Sequence, residues 1–165
     1  MLDYANNEIN VDGCYSCAYA NHEFSLPCGM VYEDDILTIS HDWELPINGF
    51  MVICPKRHIE HFNELTYDEI CYLFKYVHKT QNYLKEMNIA EEFGIVISEM
   101  KGVHLHIWIS PKTQLANEKF KGGIAYIKDY FKYAKENLKT KENFMEIENT
   151  VKTLRAKFNN ELKRV

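Results

Sequence analysis

The sequence predicts an α+β fold, an antiparallel sheet with one main helix, followed by a helical C-terminal extension. Three observations predict it. Short apolar runs rich in β-branched residues and bounded by turn residues recur over residues 30–54 and 94–111. One long segment of helical period lies between them. Beyond Pro111 the strand texture stops and only helical periodicity remains. At 165 residues, 46% of them hydrophobic, the chain is long enough to bury a core without disulfide staples.

The first thirty residues read as irregular, punctuated by Gly13, Cys14-Tyr15-Ser16-Cys17, Pro27 and Gly29. Met30-Val31-Tyr32 has strand character, Glu33-Asp34-Asp35 turns the chain, and Ile36-Leu37-Thr38-Ile39 is a second strand. Residues 42–48, with Pro46, form a loop. Gly49 to Cys54 reads as a buried strand that Pro55 stops. Thr66 followed by Glu69 is a capping-box pattern and starts the main helix. Its apolar face comprises Ile70, Leu73, Phe74, Val77 and Leu84, and it ends near Met87-Asn88. Gly94 to Ser98 and Val103 to Ile109 pair as a hairpin with a short turn at Gly102. From about Gly123, Ile124, Ile127, Tyr130, Phe131 and Ala134 share a helix face. Lys139-Thr140-Lys141 breaks it, and Phe144, Ile147, Val151, Leu154 and Phe158 define a final amphipathic helix. The chain therefore divides into residues 1–116, which carry the sheet, and 117–165, the helical extension.

The net charge of −5 hides an asymmetry. Residues 112–165 hold 13 of the 19 Lys and Arg but 7 of the 24 Asp and Glu, a net of +6 against −11 for the rest. The tail either docks on the acidic body, meets an anion, or presents a solvated helix face. The acidic overall balance, without a basic-aromatic motif, speaks against nucleic acid as a partner. No apolar run approaches the roughly 18 residues of a membrane helix, so no membrane partner is expected. The polar, acidic start does not read as a signal peptide, and five cysteines is an odd number. These features suggest a reducing cytoplasm, where cysteines bind metal, react or pack.

The residues most suited to chemistry are His104-Leu105-His106-Ile107-Trp108. On a strand, His104, His106 and Trp108 share one face while Val103, Leu105, Ile107 and Ile109 point into the core. Two imidazoles and an indole are an odd choice for a solvent face, although a single strand histidine is usually structural. Cys14-x-x-Cys17 has the spacing of a tetrahedral metal site but supplies only two ligands. His58 and His104 are candidates for the others, in competition with His61, His22 and Cys28. His41-Asp42-Trp43 lies between two strands. Its aspartate either forms a turn or holds a sugar hydroxyl while an aromatic flanks a base.

In order and spacing these segments resemble the histidine triad superfamily of nucleotide hydrolases and transferases, from about Cys14 to Lys112. The family pattern is a short cysteine pair, an acidic turn, an Asp before a loop, a hydrophobic strand ending Pro-Lys-x-His, and His-φ-His-φ-His-φ-φ-Pro, where φ is apolar. The sequence departs from it by lacking one triad histidine. Either Gly102, His104 and His106 take the three positions, or His104, His106 and Trp108 do. The second register puts Pro111 three residues after the last position, where the family commonly has proline, and is preferred. A further departure is Ser98-Glu99-Met100-Lys101-Gly102, shorter than the usual Gly/Ser-rich phosphate loop.

The resemblance implies that His106 is the nucleophile, attacking an α-phosphate to form a nucleotidyl-histidine. It implies Asp42 at the ribose hydroxyls, flanked by Trp43 or His41. It also implies a structural zinc on Cys14, Cys17, His58 and His104, and a homodimer. Ser98, Lys101, the Trp108 indole N–H and backbone amides near Gly102 are candidate donors to the phosphate. Trp108 can donate a hydrogen bond but cannot shuttle a proton. The competing readings are a nucleotide-binding module without catalysis and a protein-interaction scaffold whose helical tail is the working part.

Overall fold

The structure, a computed structural model, describes residues 1–120 and 126–162, and of Ser98, Glu161 and Leu162 only the backbone. Five strands form one antiparallel sheet: β1 (Met30–Glu33), β2 (Leu37–His41), β3 (Met51–Pro55), β4 (Phe93–Ser98) and β5 (His106–Pro111). Their order is β1-β2-β3-β5-β4. Helices α1 (Tyr15–Ala20), α2 (Tyr67–Glu86), α3 (Gln114–Lys119), α4 (Tyr126–Asn137) and α5 (Lys141–Leu162) complete it. This is the α+β arrangement that the sequence predicts.

Alternation along the strands separates the two faces. Leu37, Ile39, Met51, Ile53, Ile107 and Ile109 are fully buried in one core with Leu73, Val77 and Leu84 of α2 and Ile147, Val151, Leu154 and Phe158 of α5. Thr38, Ser40, Val52, Cys54, His106 and Trp108 have the opposite parity and face a cavity. A second cluster closes one end of that face, built from Leu45, Ile47, Phe50, Ala116 and, on α4, Ile127, Tyr130 and Ala134. Gly94 permits this approach, since a Cβ there would stand 3.1 Å from Ile127 Cδ1.

Several local expectations need correction. Residues 15–20, read as irregular, form α1, and six residues are too few to show a helical period. The Thr66–Glu69 capping box is present, but α2 is rotated from its expected phase. Tyr76 is buried and Phe74 is 40% exposed. Tyr76 can be buried because its hydroxyl donates to Tyr32 Oη at 2.7 Å. The hairpin connection spans residues 99–105, and β5 begins at His106 rather than Val103. The Leu105 amide donates to the Ile59 carbonyl at 2.8 Å, which takes residues 103–105 off the β4 ladder. Helix α3, capped by Thr113 Oγ1 accepting from the Ala116 amide, was not anticipated. Gly123 and Ile124, expected on the penultimate helix, lie outside the described residues.

Basic residues of the tail meet the body. Lys135 pairs with Glu44, and Lys157 pairs with Glu86 at 2.6 Å. Arg155 instead donates to the Cys28 and Met30 carbonyls, both at 2.7 Å, joining α5 to the start of β1. No helix among the described residues is long and apolar enough to cross a membrane.

Candidate functional site

The cavity measures about 740 Å³ and lies on the sheet face away from α2. Its floor is strand residues, one wall is α1 with Trp43, and the opposite wall is α4. His106, at the first position of β5, lines it. His106 Nδ1 lies 2.9 Å from the His104 carbonyl oxygen. A carbonyl only accepts, so Nδ1 carries the proton and Nε2 keeps its lone pair. Trp108, two residues on, packs edge-on against Phe131 of α4 and Phe50, with centroids 5.7 and 6.1 Å apart.

His104, just before β5, is buried at the margin of the same cavity. Its Nε2 donates to the Pro55 carbonyl at 2.9 Å, which leaves Nδ1 as the ligating nitrogen. Nδ1 stands 3.5 Å from both Cys14 Sγ and Cys17 Sγ, while His58 Nδ1 is 3.3 Å from Cys17 Sγ. The four ligand atoms all lie within 4.8 Å of one another. A tetrahedral ion with metal–sulfur bonds near 2.3 Å and metal–nitrogen bonds near 2.0 Å needs sulfur and nitrogen about 3.5 Å apart. The residues therefore fit one metal ion. Burial, then Cys14 alongside, push the Cys17 thiol up to about 11, so metal uptake must release protons. Burial lowers the His104 pKa, which favours the neutral, ligating imidazole. The competing ligands lie elsewhere. His61 faces Glu99 at 3.4 Å, His22 faces Glu33 at 3.2 Å, and Cys28 is buried beneath Arg155.

Asp42 follows β2 and lines the cavity. Its Oδ1 accepts from the Glu44 and Leu45 amides at 2.9 and 2.8 Å, a turn that aims the carboxylate. No protein donor to Oδ2 is found among the described residues, so that oxygen remains for a ligand. Burial pushes the carboxyl up to about 6, against those two amide bonds. Trp43 lines the same wall and packs against Tyr15, Tyr19 and Phe24.

His41 does not flank the cavity. It shares the parity of Leu37 and Ile39, is fully buried, and directs its ring nitrogens at the Asp42 and Ile47 carbonyls, 2.7 and 2.9 Å away. Burial pushes its pKa down to about 4 against the pull of the two carbonyls, so the neutral ring donates to one of them at a time as it braces the loop that carries Asp42. Lys101 is exposed and off the cavity wall. The Ser98 side chain lies outside the described residues. Sequence reasoning missed Tyr15 and Tyr19 of α1 and Phe131, Lys132, Lys135 and Glu136 of α4, all of which line the cavity. Parity with His106 and Trp108, through the pairing of Val52 with Trp108, could have identified the floor. Nothing local marks the α4 residues.

The HIT domain family pattern matches residues 23–114. A HIT-like protein of Methanocaldococcus jannaschii is 35% identical over 100 residues, covering 57% of this chain and 76% of the relative. A zinc-bound histidine triad family protein from Mycobacterium smegmatis superposes with a TM-score of 0.62 at 15% identity, covering 90% and 96% of the two chains. A histidine triad nucleotide-binding protein from Sulfolobus tokodaii does so at 0.55 and 21%, covering 86% and 94%. These two superpositions speak to the fold alone. The chain belongs to the HIT domain family.

Asp42→Asn keeps one acceptor oxygen for the turn amides, puts an amide donor in place of Oδ2 and removes the charge. If Asp42 holds the ribose hydroxyls, as the family resemblance implies, affinity for a ribonucleoside is expected to fall by roughly 1–2 kcal/mol, the scale of one hydrogen bond to a charged group. The wild type should show a matching pH dependence. A ligand that donates to the carboxylate favours its ionised form, so binding is full above about pH 6 and weakens as pH falls through that value. Calorimetry with a ribonucleoside and its 2′,3′-dideoxy analogue checks both, and only the ribose form should respond.

Proposed function

We propose that the protein is a nucleotide hydrolase or nucleotidyl transferase acting at the α-phosphate through a covalent nucleotidyl-histidine on His106. The observation that carries this reading is the tautomer of His106. Its Nδ1 proton is committed to the His104 carbonyl, and the Nε2 lone pair belongs to a ring that lines the cavity. Membership of the HIT domain family supports a nucleotide as the ligand.

In the first step Nε2 donates its lone pair to the α-phosphorus. The bond from phosphorus to the leaving group breaks, and that group departs with the electron pair. In the second step water or another acceptor attacks the phosphorus and loses its proton to solvent or to the phosphate, and the N–P bond breaks with its electron pair returning to Nε2, which restores the neutral imidazole. His104 links two tasks, because its ring faces the cysteines while its carbonyl orients His106. Asp42 accepts from the ribose hydroxyls and Trp43 borders the base. The Trp108 indole donates but cannot relay a proton, so the leaving group takes its proton from water or its own phosphate.

Zinc is the ion that two thiolates and two imidazoles suit. When bound it supplies structural stiffness, tying α1 to the residues before β5. Five free cysteines suit a reducing cytoplasm. Among the described residues β4 is an edge strand, and its half-buried residues support a homodimer.

A second reading, a nucleotide-binding module without turnover, is favoured by one observation, the aromatic packing of Trp108 where a proton-relaying histidine would act. A nucleotide labelled at the α-phosphate separates the two. The enzyme shows a burst of label on protein followed by steady release of nucleoside monophosphate. The binding module shows reversible binding and no label on protein.

A further inference from the structure

We propose that α4 makes the cavity selective for an anionic leaving group, and that Lys132 grips the phosphates beyond the α-phosphate. The substrate class is then a nucleoside polyphosphate rather than a phosphoramidate with a neutral amine. This deepens the proposed function and rests on its assignment of Asp42 to the ribose and His106 to the α-phosphate.

Charge is the first ground. Residues 1–111 have a net charge of −11, and the cavity wall includes Asp42, Glu44 and Glu136. A polyphosphate entering there needs cations to offset both the wall and itself. The lysines of the lining are Lys132 and Lys135, and both come from α4. Lys135 is paired with Glu44. Lys132 has no acidic partner among the described residues, so it is the lining lysine whose charge is available to a ligand.

Position is the second ground. Helix α4 crosses the strands, with Ile127 against Gly94 of β4, Phe131 against Trp108 of β5, and Lys135 at Glu44 beyond β2. The helix therefore runs from the Ser110 end of β5, past Trp108, to the loop that carries Asp42, and it shares the cavity with His106. Lys135 stands at the Asp42 end, where its charge acts on the Asp42 carboxyl. Lys132 precedes it by three residues, about 4.5 Å along the axis, on the Trp108 side. An ammonium on a flexible stem on that side suits a mobile phosphate chain better than the fixed α-phosphate. Phe131, held by Trp108 and Phe50, anchors the helix in place. Trp108 thus acts as a seat for α4, and the cation that the strand lacks comes from the extension.

The test is equilibrium binding of a nucleoside monophosphate and its α,β-methylene triphosphate, in adenosine and guanosine forms, to the metal-replete wild type, Lys132→Ala and Lys132→Arg. Lys132 is exposed, so neither change should disturb the fold. The wild type should prefer the triphosphate by about tenfold or more, the effect of one charge-assisted bond. Lys132→Ala should abolish that preference with the monophosphate affinity unchanged, and Lys132→Arg should keep it. In turnover, the ratio of kcat/KM for an anhydride over a phosphoramidate should drop about tenfold in Lys132→Ala. A preference that survives Lys132→Ala overturns the inference, as does an equal loss for both ligands or a wild type without preference. If the preference vanishes in Lys132→Ala but no label reaches His106, the anion site stands and the covalent mechanism falls. If label forms but no preference exists, the reverse holds. Absence of binding by either nucleotide overturns both.

Discussion

His106→Ala should lower turnover by a factor on the order of 10⁴ or more and abolish covalent labelling, while nucleotide affinity and melting temperature change little. A side chain that makes and breaks the covalent bond has no substitute within the cavity, and losses of that size follow removal of such a group. His106 is half-buried at the cavity edge, and its described hydrogen bond to the His104 carbonyl is local. Truncation should therefore leave the sheet intact. His104→Ala has a different expected profile. It removes a candidate metal ligand and the contact to Pro55, so stability should fall together with activity. Steady-state rates set beside thermal melts separate the two variants. Normal turnover in His106→Ala, with a dead but folded and metal-replete His104→Ala, would show that the other register is the correct one.

The second large effect is on stability. Stripping the metal with a chelator should lower the melting temperature by roughly 10 °C or more, the shift that about 4 kcal/mol produces in a chain of this size. Cys17→Ser should reproduce the loss and should be insensitive to further chelation. The candidate ligands come from the start of α1 and the residue that caps it, the loop after β3 and the residue before Leu105, segments far apart in sequence. A bound ion therefore adds its binding free energy to folding and holds the α1 wall against the sheet. Because the thiols must give up protons, metal affinity should fall as the medium is acidified. A melt that ignores the chelator, in protein purified without zinc, would remove the site and leave the role of His106 standing.

Much of this was legible before any coordinates. Strict alternation over Leu105 to Ile109 puts His106 and Trp108 on one face, and the structure has that parity. The Cys-x-x-Cys spacing, with His58 and His104 as partners, corresponds to the cluster that is found. The failures have physical causes. His41 was grouped with Asp42 as neighbours in sequence, yet strand parity assigns it to the core with Leu37 and Ile39. The alternation continues back through Val103, but backbone hydrogen bonding does not, because Leu105 bonds to Ile59 while His104 reaches the cysteines. The phase of α2 is not legible in the sequence because Tyr76 reads as amphipathic. Burial of its ring depends on a hydroxyl partner, Tyr32, that is 44 positions away. The contribution of α4 had no local signal at all. A lysine on an amphipathic helix reads as solvated, and only tertiary packing turns Lys132 toward the cavity.

The central claim is a double displacement at the α-phosphorus, and its stereochemical course tests that most directly. An in-line attack inverts phosphorus, so two successive attacks restore the original configuration. A substrate carrying a chiral α-phosphorothioate, hydrolysed in ¹⁸O-labelled water, should yield a nucleoside phosphorothioate of retained configuration. Inversion would mean that water attacks directly, and would contradict a covalent intermediate on His106.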